Sequence, residues 1–100
     1  MAQTITEKIL AAHSGREEVH PGQFVMARVD LMLGNDVTAP IAIEEFRKIG
    51  ARGLADASRV VLVADHGTPN MDIKAAEQCR VMREFARAEG VEHYFDVGKG

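Results

Sequence analysis

The first apolar positions of the chain, Ile5, Ile9 and Ala12, fall at i, i+4 and i+7, one stripe of a 3.6-residue period. Thr4 precedes Glu7 by three residues, the spacing of a capping box, and Ser14-Gly15 ends the stripe, so this pattern predicts a helix over about residues 4–13. Pro21-Gly22 marks a turn. Beyond it Phe24, Val25, Met26, Val29, Leu31, Met32 and Leu33 form a β-rich run, interrupted by Arg28 and Asp30, that predicts a strand over about 23–33. The segment Asn35-Asp36-Val37-Thr38 has turn and helix N-cap chemistry, and Pro40 suits a first helical turn. Ala42, Phe46 and Ile49 then share a face that ends at Gly50, giving a helix over about 39–49.

The second half repeats the alternation. Arg59-Val60-Val61-Leu62-Val63-Ala64 is short, apolar and β-branched, and its lack of polar alternation predicts a strand buried on both faces, as in a parallel sheet covered by helices. It stops at Asp65-His66. After the loop Gly67-Thr68-Pro69-Asn70, the stripe Ala75, Cys79, Met82, Ala86 traces a long helix closed by Gly90, with Lys74, Glu77, Arg80, Glu84 and Arg87 on the solvated side. His93-Tyr94-Phe95-Asp96-Val97 begins a last strand. The order α-β-α-β-α-β predicts an α/β unit of three-layer type with a largely parallel sheet, and a chain of 100 residues has room for one domain at most.

Composition narrows the partners. No apolar run approaches the ~18 residues that span a bilayer. Twelve Lys and Arg against fifteen Asp and Glu give a net charge of −3, and with no Trp and one Tyr there is neither a basic footprint nor a stacking platform for nucleic acid. The one cysteine, Cys79, excludes an internal disulfide, cannot alone hold an iron–sulfur cluster, and lies on the apolar stripe as a small core residue. The first residues lack the apolar segment of a secretory signal, and a single free thiol suits a reducing compartment, so a cytoplasmic location is expected.

Ligands of open α/β sheets bind beyond the carboxyl ends of the strands. Two polar clusters occupy that position here: Asn35 to Thr38, and Asp65-His66. A carboxylate beside an imidazole can fix its tautomer or exchange a proton with it, and the imidazole titrates near neutrality. Both clusters also have plain readings, Asp65 as a turn cap and Asn35–Thr38 as helix N-cap residues. His13, His20 and His93 show no metal-ligand spacing, and the chain has neither a glycine-rich phosphate loop nor a serine nucleophile elbow.

Three longer strings resemble the N-terminal part of the aconitase superfamily, most closely its 3-isopropylmalate dehydratase branch. They are Thr4-Ile5-Thr6-Glu7-Lys8-Ile9-Leu10-Ala11, the run Val29-Asp30-Leu31-Met32-Leu33-Gly34-Asn35-Asp36-Val37-Thr38-Ala39-Pro40-Ile41-Ala42-Ile43, and Val60-Val61-Leu62-Val63-Ala64-Asp65-His66-Gly67-Thr68-Pro69-Asn70-Met71-Asp72-Ile73. The resemblance implies part of a larger aconitase-like α/β domain, from the large subunit of an isomerising hydro-lyase of leucine biosynthesis. Such an enzyme interconverts 2- and 3-isopropylmalate by removing and re-adding water. It further implies that Asp65 and His66 assist the departing hydroxyl, that the turn Asp36 to Pro40 lies at the substrate with Thr38 as a contact, and that a small subunit completes the pocket. The resemblance also brings a four-iron four-sulfur (4Fe-4S) cluster, its cysteine ligands outside these residues. Gly67 departs from the bulky apolar residue that commonly follows the Asp-His pair in that branch. Two alternatives stand beside this reading: a homoaconitate or dimethylmalate hydratase of the same superfamily, and a small stand-alone α/β module that binds a metal or anion through Asp65, His66 and Asp72.

The chain stops directly after its last strand, where a further helix would ordinarily begin. The 100 residues are therefore expected to be the first portion of a larger subunit, inactive and without a cluster on their own. A covered parallel sheet cut from such a domain leaves apolar surface and strand edges unpaired, which drives pairing with another chain. The isolated chain is predicted to self-associate. Light scattering across a dilution series checks this, and a concentration-independent monomer would contradict it.

Overall fold

The structure is a computed structural model that describes residues 2–99. Its elements are α1 (Ile5–Ser14), β1 (Met32–Asn35), α2 (Ala39–Lys48), β2 (Val60–Val63), α3 (Ile73–Glu89) and β3 (His93–Phe95), with a 3₁₀ turn at Ala57–Arg59 leading into β2. They fall into two compact units, one ending at Asp30 and the other beginning at Leu31.

In the first unit the predicted capping box is present: Glu7 N donates to Thr4 Oγ1 at 3.2 Å and Thr4 N donates to Glu7 Oε2 at 2.9 Å, so two of the helix's free amides are satisfied reciprocally. The predicted strand over 23–33 is corrected. Residues 23–31 form no strand, and Phe24 and Met26 are almost fully exposed. The backbone of Arg28 instead pairs with His13, its N–H donating to the His13 carbonyl and its carbonyl meeting His13 Nδ1, each at 2.9 Å. A β-rich run without a neighbouring strand has nothing to form a ladder with, so the strand begins only at Met32, where β2 lies alongside.

The second unit is a parallel three-stranded sheet in the order β1-β2-β3, registered Met32↔Val60, Asn35↔Val63 and Val63↔Phe95. Helices α2 and α3 pack together over one face. Beneath them lie Val60, Leu62 and Ala64, joined by Ile43, Cys79, Met82, Phe85 and Ala86 in a single core. Phe46 and Phe85 meet edge to face with centroids 5.7 Å apart, a preferred aromatic geometry. Gly34 lets the start of α2 lie close to the sheet: a Cβ there would lie 3.1 Å from both the Ala39 Cβ and Leu62 Cδ2, so these side chains would have to give way by a few tenths of an ångström.

Burial along β2 alternates between full and partial, which corrects the expectation of a strand buried on both faces. The side presenting Leu33, Val61, Val63 and Phe95 carries no helix of this unit, and Leu33 is 73% exposed. Cys79 sits in the core as its place on the stripe predicts. Among the described residues no helix is long and apolar enough to cross a membrane.

The end of β3 is tied back to α3 by a fork of two hydrogen bonds, Arg83 Nε to Asp96 Oδ2 at 2.7 Å and Nη2 to Oδ1 at 3.0 Å. The guanidinium holds the Asp96 carboxyl down at about 2. Because that value lies below the unfolded one, the pair stabilises fully above about pH 4 and its contribution fades as pH falls towards 2. The side chains are 38% and 30% exposed, so solvent screens the attraction. D96N is expected to cost about 1–2 kcal/mol at pH 7, a difference that closes as the pH is lowered towards 2. Urea unfolding of both forms across that range checks it.

Candidate active site

The carboxyl ends of β1 and β2 lie side by side because Asn35 pairs with Val63. One residue past β1 comes Asp36; two residues past β2 comes Asp65, after Ala64 has donated one more ladder bond to the Phe95 carbonyl at 2.9 Å. The chain then bends sharply through His66 and Gly67, and three successive backbone N–H groups converge on Asp36. Asp65 N and His66 N donate to its Oδ1 at 3.2 and 2.9 Å, and Gly67 N donates to its Oδ2 at 2.6 Å. Asp36 is 1% exposed and, among the described residues, is the one charged side chain in the buried set. Burial pushes its carboxyl upward, but the hydrogen bonds from His66, Gly67 and Asp65 together outweigh that and hold it below the ordinary aspartate value.

On the solvent side of the same bend, His66 Nδ1 lies 2.6 Å from Asp65 Oδ1. Both side chains are about half exposed. The Asp65 carboxylate raises the His66 pKa above its usual value, by hydrogen bond and by charge, with a smaller contribution from Asp36. With Nδ1 turned to Asp65, Nε2 is the ring nitrogen left to meet a ligand: a donor when the ring is charged, an acceptor when it is neutral. The pair is thus built to hand a proton to an oxygen, or take one from it, beyond the end of β2.

The loop after β1 is ordered independently. Asn35 Oδ1 accepts from Val37 N and Thr38 N, each at 2.9 Å, and from Thr38 Oγ1 at 3.1 Å. Thr38 is the N-cap position of α2 but makes no side-chain cap bond, since its hydroxyl is engaged with Asn35. Its residue lines the rim of an apolar groove of about 330 Å³ along β1 and α2, with Met32, Ala42, Phe46 and Leu54. Asp65 and His66 are not among the groove's lining residues, and no hydrogen bond joins them to Thr38 among the described residues. Asp72 does not join the pair either: its Oδ1 accepts from Ala75 N at 2.8 Å as the N-cap of α3.

Sequence reasoning placed Asp65 and His66 at the exit of β2, where the structure has them, and missed the part Asp36 plays. The carboxylate and imidazole atoms of Asp36, Asp65 and His66 that could face a ligand all lie within 4.8 Å of one another, but Asp36 spends both oxygens on backbone donors. The available signal was register: an aspartate directly after one strand of a parallel pair is level with the exit of the next.

No protein-family profile matches the chain. Its sequence is 59% identical over 99 residues to the 3-isopropylmalate dehydratase large subunit of Moorella thermoacetica, covering 99% of the chain and 24% of that protein. It is 56% identical over 99 residues to the large subunit of Thermodesulfovibrio yellowstonii, with the same coverage. Large subunit 1 of Pyrococcus furiosus is 59% identical over 95 residues, 95% of the chain and 22% of that protein. The resemblance to 3-isopropylmalate dehydratase large subunits runs through the whole chain. The chain spans about a quarter of the length of these relatives. Each of these relatives is named as a large subunit.

The described residues do not offer ligands for the iron–sulfur cluster that the aconitase-like resemblance implies. Cys79 is 1% exposed, faces the core of α3 and receives the Asn70 Nδ2 at 3.4 Å on its sulfur, so it offers no thiolate to the open end of the sheet. The electrostatics of the pair yield a direct expectation instead. Replacing Asp65 by Asn removes the charge and the acceptor that favour the imidazolium, so the His66 pKa should fall towards its ordinary value. A pH titration of the His66 ring protons by NMR in both forms measures the shift; an unchanged midpoint would show that the two side chains are uncoupled.

Proposed function

We propose that this chain is the N-terminal portion, residues 1–100, of an aconitase-like domain in the large subunit of a 3-isopropylmalate dehydratase, an isomerising hydro-lyase. It supplies the proton-transfer pair for the hydroxyl of a hydroxy-dicarboxylate. The observation that carries the reading is the Asp65–His66 contact at the exposed carboxyl end of a central parallel strand, in a chain that is 50–59% identical to eight large subunits of that name.

The chemistry follows from which atom holds the proton. Removing water from a 2-hydroxy acid requires the C–O bond to break with the oxygen leaving as water, because hydroxide is a poor leaving group. His66 in its charged form holds a proton at Nε2, and Asp65 keeps the ring oriented through Nδ1. Donation from Nε2 to the substrate oxygen lets water depart and leaves the ring neutral, while a base outside this chain takes the proton of the neighbouring carbon, whose C–H electron pair becomes the C=C bond. In the return direction neutral His66 takes a proton from the incoming water as its oxygen bonds to that neighbouring carbon, and the carbon that lost the hydroxyl receives a proton back from the same base. One ring thus serves both halves of an isomerisation, and the upward shift of its pKa by Asp65 favours the donor form. Thr38, with its hydroxyl held by Asn35 at the rim of the apolar groove, is proposed to contact the substrate.

The 4Fe-4S cluster of the proposed enzyme would be held by ligands outside this chain, and the site would be completed by the small subunit. The free thiol of Cys79 supports a reducing, cytoplasmic location.

In the complete enzyme, His66→Asn keeps the side chain's approximate shape and neutral hydrogen bonding but removes the titratable proton. Turnover should fall by about 10²- to 10⁴-fold, roughly 3 to 5 kcal/mol of barrier, with KM and iron content nearly unchanged. Steady-state kinetics on 2-isopropylmalate alongside iron analysis test this. Near-normal kcat with full iron content would remove His66 from the mechanism.

A further inference from the structure

A buried aspartate with three N–H donors on its two oxygens, all from the turn that carries the proposed proton-transfer pair, has a geometry that points beyond ordinary core structure. We propose that Asp36 is a positioning residue for catalysis: its carboxylate fixes the Asp65–His66–Gly67 turn so that the imidazole stands where the substrate oxygen is protonated. This rests on the reading of Asp65 and His66 given above.

Three observations carry it. First, the donors are consecutive, Asp65 N, His66 N and Gly67 N, so one side chain determines the path of the backbone through both members of the pair. Second, Asp36 follows a different strand, so the constraint is tertiary and holds the turn relative to the sheet, not merely within its own loop. Third, the fit is close. A Cβ on Gly67 would lie 3.2 Å from Asp36 Oδ2, so the carboxylate and the turn backbone are already packed against each other with little slack. Two of the loop's other bonds, Thr68 Oγ1 to the Ala64 carbonyl at 3.3 Å and Asn70 Nδ2 to the Gly67 carbonyl at 2.9 Å, lie within the loop itself, and it is Asp36 that ties the half-exposed pair to β1.

Asparagine cannot replace it. Asp36 accepts on both oxygens, whereas the carboxamide introduced by D36N would present an NH₂ to one set of N–H donors, donor against donor, and the turn would shift to escape. A displacement of about 1 Å at a catalytic group costs on the order of 10²-fold in rate.

The test uses the complete enzyme, with iron content and melting temperature recorded for every variant and kinetics measured well below the lowest melting point. D36N should lower kcat by about 10- to 100-fold while KM changes little. It should also move the limb of the kcat pH profile that belongs to His66, identified as the limb missing in H66N. In the D36N/H66N double variant the two losses should not multiply, because Asp36 acts through His66; turnover should match H66N alone. Losses that multiply, or a D36N enzyme with unaltered kcat and pH limb, would overturn the proposal. If H66N itself turns over normally, it is the underlying assignment of the pair that fails, an outcome visible without Asp36. A measurement on the unaltered enzyme stands independently of whether D36N folds. The amide protons of His66 and Gly67 should exchange at least about 10²-fold more slowly than in an unstructured peptide, and exchange at the free-peptide rate would refute the clamp.

Discussion

An ionised carboxylate with 1% of its surface exposed is a costly object, since withdrawing such a charge from water costs several kcal/mol even after the surroundings relax. Asp36 offsets that cost with three backbone donors, and hydrogen bonds to a charged group contribute about 1.5–3 kcal/mol each. The two are of the same order, and the direction in which the balance falls is seen in the carboxyl itself, which is held below its ordinary pKa in spite of burial. The balance works only if the ends of β1 and β2 stay level and the turn after β2 keeps its bend. The parallel register, the close approach at Gly34 and the packing of α2 and α3 over Leu62 and Ala64 are thus all coupled to one side chain.

The same constraint divides the site into a rigid half and an open half. Behind the turn, Asp36 is sealed and saturated. In front of it, Asp65 and His66 stand in solvent with Nε2 unencumbered by any bond among the described residues. A proton-transfer group needs both properties, a fixed position and access. The apolar groove beside β1 is lined from β1, α2 and α3, and the sheet side bearing Leu33, Val61, Val63 and Phe95 carries no helix of its own unit.

What the sequence made legible was local. The capping box at Thr4, the helix stripe through Cys79 and Met82, and the apolar run from Val60 to Val63 each encode their element in adjacent residues, and all three are where the pattern places them. Asp65 and His66 were readable because an abrupt polar pair ends an apolar strand. The errors have one physical origin, dependence on a distant partner. The start of β1 is set by where β2 lies beside it, so the apolar pattern from Phe24 onward ran ahead of the true strand. Asp36 looked like an N-cap residue because its real partners are the backbone amides 29 to 31 positions later, which no local motif announces. The one-sided burial of β2 likewise depends on which faces other elements cover.

The central claim is that hydrogen bonds to the turn, and not burial, govern the charge on Asp36. Its side-chain carboxyl carbon reports that charge directly in a ¹³C NMR titration of the folded chain. The expected midpoint lies below that of an exposed aspartate, with the carboxylate ionised throughout the neutral range. A midpoint at or above the exposed value would mean that burial dominates, and that the three N–H groups do not hold the turn as described.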